Sequence, residues 1–171
     1  GDEIVAAGER FHIGAPVVLW TDPGGYDGYR EDLFFGGEPR GDSPGGKRYR
    51  PGRERASIAA DAGLDGTLAR EPGLDQLSEL VDQFVIHYDA CGLSRTCFLV
   101  LHDRRGLSVH FLLDLDGTLY QTLDLGEQAW HARQANARSI GVEIANLGAH
   151  PPGQTALLDE WYVRDERGVR I

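Results

Sequence analysis

The chain has 171 residues, of which 41% are hydrophobic and 26% are charged, and its formal net charge is −10 at pH 7. This length suits one domain that can bury a hydrophobic core. The acidic balance argues against a general nucleic-acid-binding protein, because phosphate contact needs clustered cations. No apolar run approaches the roughly 20 residues that a membrane-spanning helix requires.

Residues 1–70 are predicted to be an N-terminal extension, and no motif in them indicates a role. Strand-like runs at 4–6 and 15–20 precede a Gly-, Pro- and Arg-rich stretch at 36–55, which is typical of a long exposed loop. The loop is locally basic and could contact an anionic polymer, although a solvated loop is the favoured interpretation. Five aromatic residues are predicted to pack in the core rather than to line a sugar-binding surface: Trp20, Tyr26, Tyr29, Phe34 and Phe35.

The pattern becomes regular after residue 71. Leucines recur at helical spacing and predict a helix at about 74–82, followed by a strand at 83–88. A second helix is predicted at about 94–102, with Ser94 as its N-cap.

Two strand patterns and a hairpin complete the predicted sheet. Residues 107–113 alternate, which places Leu107, Val109, Phe111 and Leu113 on one face. A turn at 114–117 leads to a return strand at 118–122; the Asp-x-Asp-Gly turn lacks the later ligands of a calcium loop. The last strand, at 139–146, carries Gly141, Glu143 and Ala145 on one face. The prediction is an α/β domain with a mixed central β-sheet flanked by helices.

Two side chains on these strands could carry chemistry. His87 ends an apolar strand, where it would be either a metal ligand or a satisfied core histidine. Glu143, flanked by small residues, would be either a general base in a partly dry pocket or a solvent-facing charge. His131 could line a groove beside Trp130. A serine triad is disfavoured, because no Gly-x-Ser-x-Gly motif is present.

Cys91 and Cys97 lie six positions apart. In an oxidising compartment they could form a disulfide bond, and otherwise both could be small buried hydrophobic residues. Their spacing is not the Cys-x-x-Cys of a redox or zinc-ribbon site.

Four pieces of the sequence occur in a characteristic order and spacing: 85–88, 108–114 with 116–121, 129–132, and Asn136 with 139–143. Together they resemble the zinc-dependent N-acetylmuramoyl-L-alanine amidases, whose relatives include the peptidoglycan recognition proteins. The resemblance implies a zinc cofactor with His87 as the first ligand, and Glu143 as the catalytic acid/base. It also implies that Trp130, His131 and Asn136 belong to the substrate cleft, and that His110 is structural.

The implied function is hydrolysis of the amide bond between N-acetylmuramic acid and the L-alanine of the stem peptide by zinc-activated water. The alternative is a non-catalytic peptidoglycan-recognition module that has lost its metal site; a purely structural or inhibitory domain is a third possibility. The expected partner is peptidoglycan or a muropeptide, and the expected location is periplasmic or extracellular, in the cell envelope.

The implied metal site is incomplete in this sequence. In the family the second and third zinc ligands come from a later segment. Here His150 is the one histidine after Glu143, and it lies too close to Glu143 and is followed directly by Pro151-Pro152. Residues 71–171 are therefore expected to be the N-terminal portion of an amidase-like domain that lacks its C-terminal part. Two further explanations are that a C-terminal fragment or second chain completes the site, or that the site has been lost.

Overall fold

The computed structural model describes residues 1–36, 49–50 and 73–171. A five-stranded sheet in the order β3-β7-β6-β9-β5 forms its centre. The strands β6 and β7 are antiparallel, whereas β3–β7, β6–β9 and β5–β9 are parallel pairs. The predicted mixed α/β sheet is therefore confirmed. Its strands are β3 (Val17–Leu19), β5 (Gln83–Tyr88), β6 (Phe111–Leu113), β7 (Leu119–Gln121) and β9 (Ser139–Ile144).

Three two-stranded ribbons surround this sheet. They are β1 (Glu3–Ala6) with β2 (Glu9–His12), β4 (Tyr49–Arg50) with β8 (Gln128–Ala129), and β10 (Val163–Asp165) with β11 (Gly168–Arg170). The first ribbon is fixed to the domain by Gln121, whose amide side chain accepts from the Val5 N–H at 2.8 Å and donates to the Val5 carbonyl at 2.7 Å. The predicted domain boundary near residue 70 and most of the predicted basic loop at 36–55 lie outside the described residues.

The helices are short. They are α1 (Leu74–Leu80), α2 (Ser94–Phe98), a π-helical continuation of α2 (Leu99–Arg105), a 3-10 helix (Arg133–Arg138) and α3 (Ala156–Trp161). The first two α-helices lie where the sequence predicts them. None of the helices in the described part of the chain combines the length and apolar character needed to cross a bilayer.

Ser94 is not the N-cap of α2, so that prediction is wrong. The cap is Leu93, and Ser94 is the first helical residue. The carboxylate of Asp114, from the β6–β7 turn, accepts the Ser94 N–H at 3.4 Å. Asp114 thus accepts a hydrogen bond from an N–H group of the first helical turn. In many helices the side chain of the N-cap residue accepts such a bond instead.

The hydrophobic core lies on both faces of the sheet. On one face, α2 and its π-helical continuation pack with Tyr26, Val109 and Leu112, and Phe34 and Phe35 lie against this cluster. The opposite face contains a second cluster of Phe111, Ile140 and Val142. The predicted core role of these aromatic residues is confirmed by their ring contacts, such as the 4.7 Å between the ring centroids of Tyr26 and Tyr120.

The predicted alternation through 107–113 is wrong in its first half. Regular strand structure begins only at Phe111, and Val109 packs on the same side as Leu112 instead of with Phe111. The preceding residues bond to another segment: the Ser108 N–H donates to the Trp130 carbonyl at 3.2 Å and the Ser108 hydroxyl accepts from the Trp130 N–H at 2.9 Å. The hairpin turn at 114–117 is confirmed, with a 2.9 Å bond from the Asp114 N–H to the Thr118 carbonyl.

The strand β5 lies at the edge of the sheet and has two different faces. Its outward face carries Phe84, Ile86 and Tyr88, whose exposed fractions are 60%, 66% and 63%. Its other face carries Val85 and His87, which are partly buried. The strand therefore presents its histidine on the side of the sheet where α2 packs.

Candidate active site

His87 and Glu143 lie side by side on adjacent parallel strands. They are paired Cα partners in the register of β5 with β9, and Leu112 of β6 is the partner of Glu143 on its other side. Residues paired across a ladder point to the same face of a sheet. The two predicted functional side chains therefore share one face, which is also the face that α2 covers through Leu112.

His131 contacts His87 directly. The distance between His87 Nε2 and His131 Nδ1 is 3.0 Å, and the two rings are perpendicular. At its other nitrogen, His131 Nε2 lies 3.2 Å from the hydroxyl of the buried Ser139. Burial lowers the pKa of His87, which favours the neutral imidazole that can serve as a metal ligand or a hydrogen-bond acceptor.

Gly141 forms the surface on which the His131 ring lies. A Cβ added at Gly141 would meet His131 Nδ1 at 2.5 Å and Cε1 at 2.6 Å, distances that real Cβ atoms do not tolerate. Beneath this point, the Gly141 N–H donates to Nδ1 of the fully buried His110 at 3.1 Å, while His110 Nε2 donates to the Glu127 carbonyl at 3.0 Å. These two bonds fix the neutral tautomer of His110 and confirm its structural role.

Asn136 orients the segment that carries His131. Its side-chain oxygen accepts the backbone N–H groups of His131 at 3.0 Å and of Ala132 at 2.6 Å. The Asn136 side chain is only 3% exposed. It therefore holds this segment from the interior, while the partly buried Trp130 and His131 lie nearer the surface. The assignment of these three residues to a substrate cleft stays a prediction.

Glu143 has the most unusual protonation behaviour of the site. Burial is the main cause that raises its pKa to about 7, the negative charge of Asp89 acts in the same direction, and Arg105 opposes both. A carboxyl group with this pKa exchanges a proton readily at neutral pH, which is the property required of a general acid/base.

Sequence reasoning missed four residues of the site: Ser139 as a contact of His131, Gly141 as its platform, and Asp89 and Arg105 as charges near Glu143. A signal existed for Asp89, because it follows directly after the predicted strand that delivers His87. The contact between Ser139 and His131 had no local signal, since it depends on how a 3-10 helix turns the chain.

A catalytic zinc ion requires three protein ligands and an open position. Within residues 1–36, 49–50 and 73–171, no three His, Cys, Asp or Glu side chains form a group that could hold a metal ion. The His87–His131 pair offers two nitrogens, whose 3.0 Å separation shows a hydrogen bond. The described residues alone therefore do not fit a catalytic zinc site.

The sequence profile described as N-acetylmuramoyl-L-alanine amidase matches residues 77–162, about half of the 171 residues. The matched range contains β5, β9, His87, His131 and Glu143. The chain belongs to the N-acetylmuramoyl-L-alanine amidase family. A search of curated proteins found no match. Membership of this amidase family associates the chain with peptidoglycan amide hydrolysis and with the cell envelope or the extracellular space.

Proposed function

We propose that this amidase-family chain cleaves the amide bond between N-acetylmuramic acid and the L-alanine of the stem peptide. The observation that carries the proposal is Glu143, whose pKa is raised to about 7 and which is paired in register with His87. The substrate is peptidoglycan or a muropeptide, and the site of action is the periplasm or the extracellular side of the cell envelope.

Several residues of this chain have separate roles in the proposed hydrolysis. The ionised Glu143 accepts a proton from the attacking water, and the protonated form then returns it to the leaving nitrogen of L-alanine. Gly141 leaves room for the His131 ring, and Asn136 accepts the His131 N–H and so holds the segment that carries this ring. Trp130 and His131 contact the muramoyl-peptide.

We also propose that zinc is the cofactor and that His87 is one of its ligands. The remaining ligands would come from outside the described residues, from a C-terminal segment or a second chain. Zinc content of the purified protein, measured for the parent and for His87→Ala, tests this part. Equal zinc content in both proteins would remove His87 from the ligand set.

The catalytic role of Glu143 is tested by Glu143→Gln, which keeps the shape of the side chain but cannot accept the proton. We expect release of the stem peptide from a muropeptide to fall by about 100-fold or more, the usual contribution of a general acid/base. Glu9→Gln, an exposed residue of β2, is the matched control and should keep the parent rate. An unchanged rate for Glu143→Gln would overturn the mechanism.

A recognition module without catalysis is the second candidate. The observation that favours it is that the described part of the chain has no group of three metal ligands. In that case calorimetry would show that the protein still binds a muropeptide after treatment with a chelator. No stem peptide would then be released when zinc is supplied, whereas zinc-dependent release would favour the enzyme.

A further inference from the structure

A charged pair joins the two residues that directly precede the strands of the candidate site. Asp82 precedes β5, and Arg138 precedes β9. The Arg138 side chain donates from Nε to one carboxylate oxygen of Asp82 at 2.7 Å, and a terminal guanidinium nitrogen donates to the other oxygen. The Asp82 N–H donates in turn to the Arg138 carbonyl at 3.1 Å. Three hydrogen bonds therefore join the starts of the two strands.

The geometry of the Asp82–Arg138 pair, rather than its burial, distinguishes it. The exposed fractions of the two side chains are 48% for Asp82 and 49% for Arg138. An exposed ion pair stabilises a fold only slightly. A bidentate contact between arginine and a carboxylate, however, fixes the relative orientation of the two groups. We therefore expect this pair to determine the position of its neighbours more than the stability of the chain.

Arg138 lies between two residues that contact the His131 segment. It ends the 3-10 helix that contains Asn136, whose side-chain oxygen accepts the His131 N–H at 3.0 Å. The next residue is Ser139, whose hydroxyl lies 3.2 Å from His131 Nε2. Both contacts depend on where the chain turns from the 3-10 helix into β9, and Arg138 is the residue at that turn.

The contacts of His131 form a closed ring that returns to Asp82. His131 Nδ1 lies 3.0 Å from Nε2 of His87 in β5, and β5 begins directly after Asp82. His131 is thus held from β5 through His87, and from the turn before β9 through the residues on each side of Arg138. The Asp82–Arg138 pair joins these two supports to each other.

The opposite ends of β5 and β9 are joined independently of this pair. The Asp89 N–H donates to the Ile144 carbonyl at 3.0 Å, and the Asp89 carboxylate accepts the Asn146 N–H at 3.0 Å. Removal of the charged pair should therefore leave the two strands paired and displace only the turn at residues 133–138. The displacement would reach His131 through the contacts of that turn.

We propose that Asp82 and Arg138 are positioning residues that hold the His131 ring against His87, in the place from which His131 contacts the muramoyl-peptide. This inference rests on the proposed function, in which His131 contacts the substrate and Glu143 transfers the proton. Because Glu143 belongs to a strand that stays paired, loss of the charged pair should weaken substrate binding more than it slows proton transfer.

The first measurement follows the imidazole NMR signals of His87 and His131 in the free protein. Arg138→Gln removes the charge and the guanidinium fork, so we expect both signals to shift. Arg170→Gln is the matched control, because Arg170 forms an exposed ion pair with Asp165 in the β10–β11 ribbon, and its imidazole signals should match those of the parent. Parent-like signals in Arg138→Gln would overturn the proposal.

Two further variants test whether the two residues act as a pair. Asp82→Ala should displace the same imidazole signals, and its combination with Arg138→Gln should add no further displacement, because each change removes the same contact. Displacements that add would contradict the pair. Arg138→Lys keeps the charge but cannot form the bidentate contact, so its signals should lie between those of the parent and those of Arg138→Gln.

Thermal unfolding separates positioning from folding. The midpoint should fall by less than about 4 °C in both Arg138 variants, because an exposed ion pair contributes little to stability. A collapse of the midpoint in Arg138→Lys as well as in Arg138→Gln would make the pair an element required for folding, and the positioning role would then be wrong.

The second measurement determines KM and kcat for release of the stem peptide from a muropeptide. In Arg138→Gln we expect KM to rise by roughly 10-fold, the effect of losing one well-placed polar contact, while kcat stays within about twofold. A lower kcat with unchanged KM would overturn the proposal. A parent chain that releases no stem peptide would remove the proposed function instead. The imidazole signals would then decide the positioning role, because they need no muropeptide.

Discussion

At the scale of single residues, the buried carboxyl group of Glu143, which we propose as the general acid/base, also destabilises the folded chain when it is ionised. Its pKa of about 7 in the folded chain exceeds the ordinary value of 4.5, and burial is the main cause. The folded state therefore holds the Glu143 proton more tightly than the unfolded state does. The stabilising contribution of the protonated form is complete below about pH 4.5 and is lost as the pH rises through about 7.

This linkage predicts that Glu143→Gln is more stable than the parent at alkaline pH. At about pH 8 the difference should be about 1–2 kcal/mol, a figure reduced from the full linkage value because the side chain is partly exposed. At about pH 4.5 the two proteins should be close to equal in stability. Urea unfolding at both pH values checks this, and a pH-independent difference would contradict the burial argument.

Gly141 yields a second prediction at this scale. Gly141→Ala places a methyl group where the His131 ring lies, at 2.5 Å from Nδ1, so the ring must move and the His87–His131 contact should break. Overpacking of this kind costs about 1–3 kcal/mol. NMR signals of the two imidazoles and urea unfolding measure both effects.

Gly73→Ala is the matched control for this substitution. Position 73 has open space around its Cα and a φ of −68°, so a methyl group meets no obstacle there. Unperturbed imidazole signals in Gly141→Ala would show that the His131 position does not depend on the missing Cβ.

At the scale of elements, the π-helical continuation of α2 contains a buried ion pair whose two members make hydrogen bonds to residues 30–36. His102 Nδ1 lies 2.6 Å from an oxygen of Asp103, and His102 Nε2 lies 3.0 Å from the Arg30 carbonyl. Because both of these oxygens only accept, both ring nitrogens carry hydrogen and His102 is an imidazolium ion. Asp103 also accepts the N–H groups of Phe34 at 2.8 Å and Phe35 at 2.9 Å.

Asp103→Asn should release this segment. Burial alone would raise the pKa of Asp103, but hydrogen bonds from His102, Phe35 and Phe34 lower it, so the carboxylate is the ionised acceptor of the network. Loss of that charge leaves the imidazolium unpaired, which costs about 3–5 kcal/mol in buried pairs. Hydrogen exchange of the Phe34 and Phe35 amides should accelerate strongly. Asp32→Asn, at an exposed carboxylate, should leave both amides protected.

The elements also show which parts of the fold could be predicted from sequence. Strand β5 follows from its apolar run, the β6–β7 hairpin from its turn residues and strand β9 from its alternation. The pairing of β5 with β9, which brings His87 and Glu143 together, does not follow from these local patterns. The predictions of Ser94 as an N-cap and of strand alternation before Phe111 are wrong for the same reason. In both places a distant segment supplies the hydrogen bonds: Asp114 in the first case and Trp130 in the second.

At the scale of the whole molecule, the unpredicted contacts join residues near the start of the chain to residues 119–121. β3 pairs with β7, and Gln121 bonds to Val5, across more than 100 positions of sequence. Local periodicity contains no information about such pairings, because it fixes which face of a strand is buried but not its neighbour. The position of His131 over Gly141 depends on the same kind of long-range arrangement.

The pairing of β5 with β9 also determines how the candidate site could fail. Neighbouring residues of a strand point to opposite sides, so sliding β5 by one position would replace His87 with Ile86 or Tyr88. A strand can shift its pairing only by whole residues, so His87 lies either on the face that carries Glu143 or on the opposite face. Insertion or deletion of one codon within residues 83–88 would thus switch the site off outright, whereas many point changes on the exposed side of that strand would leave it intact.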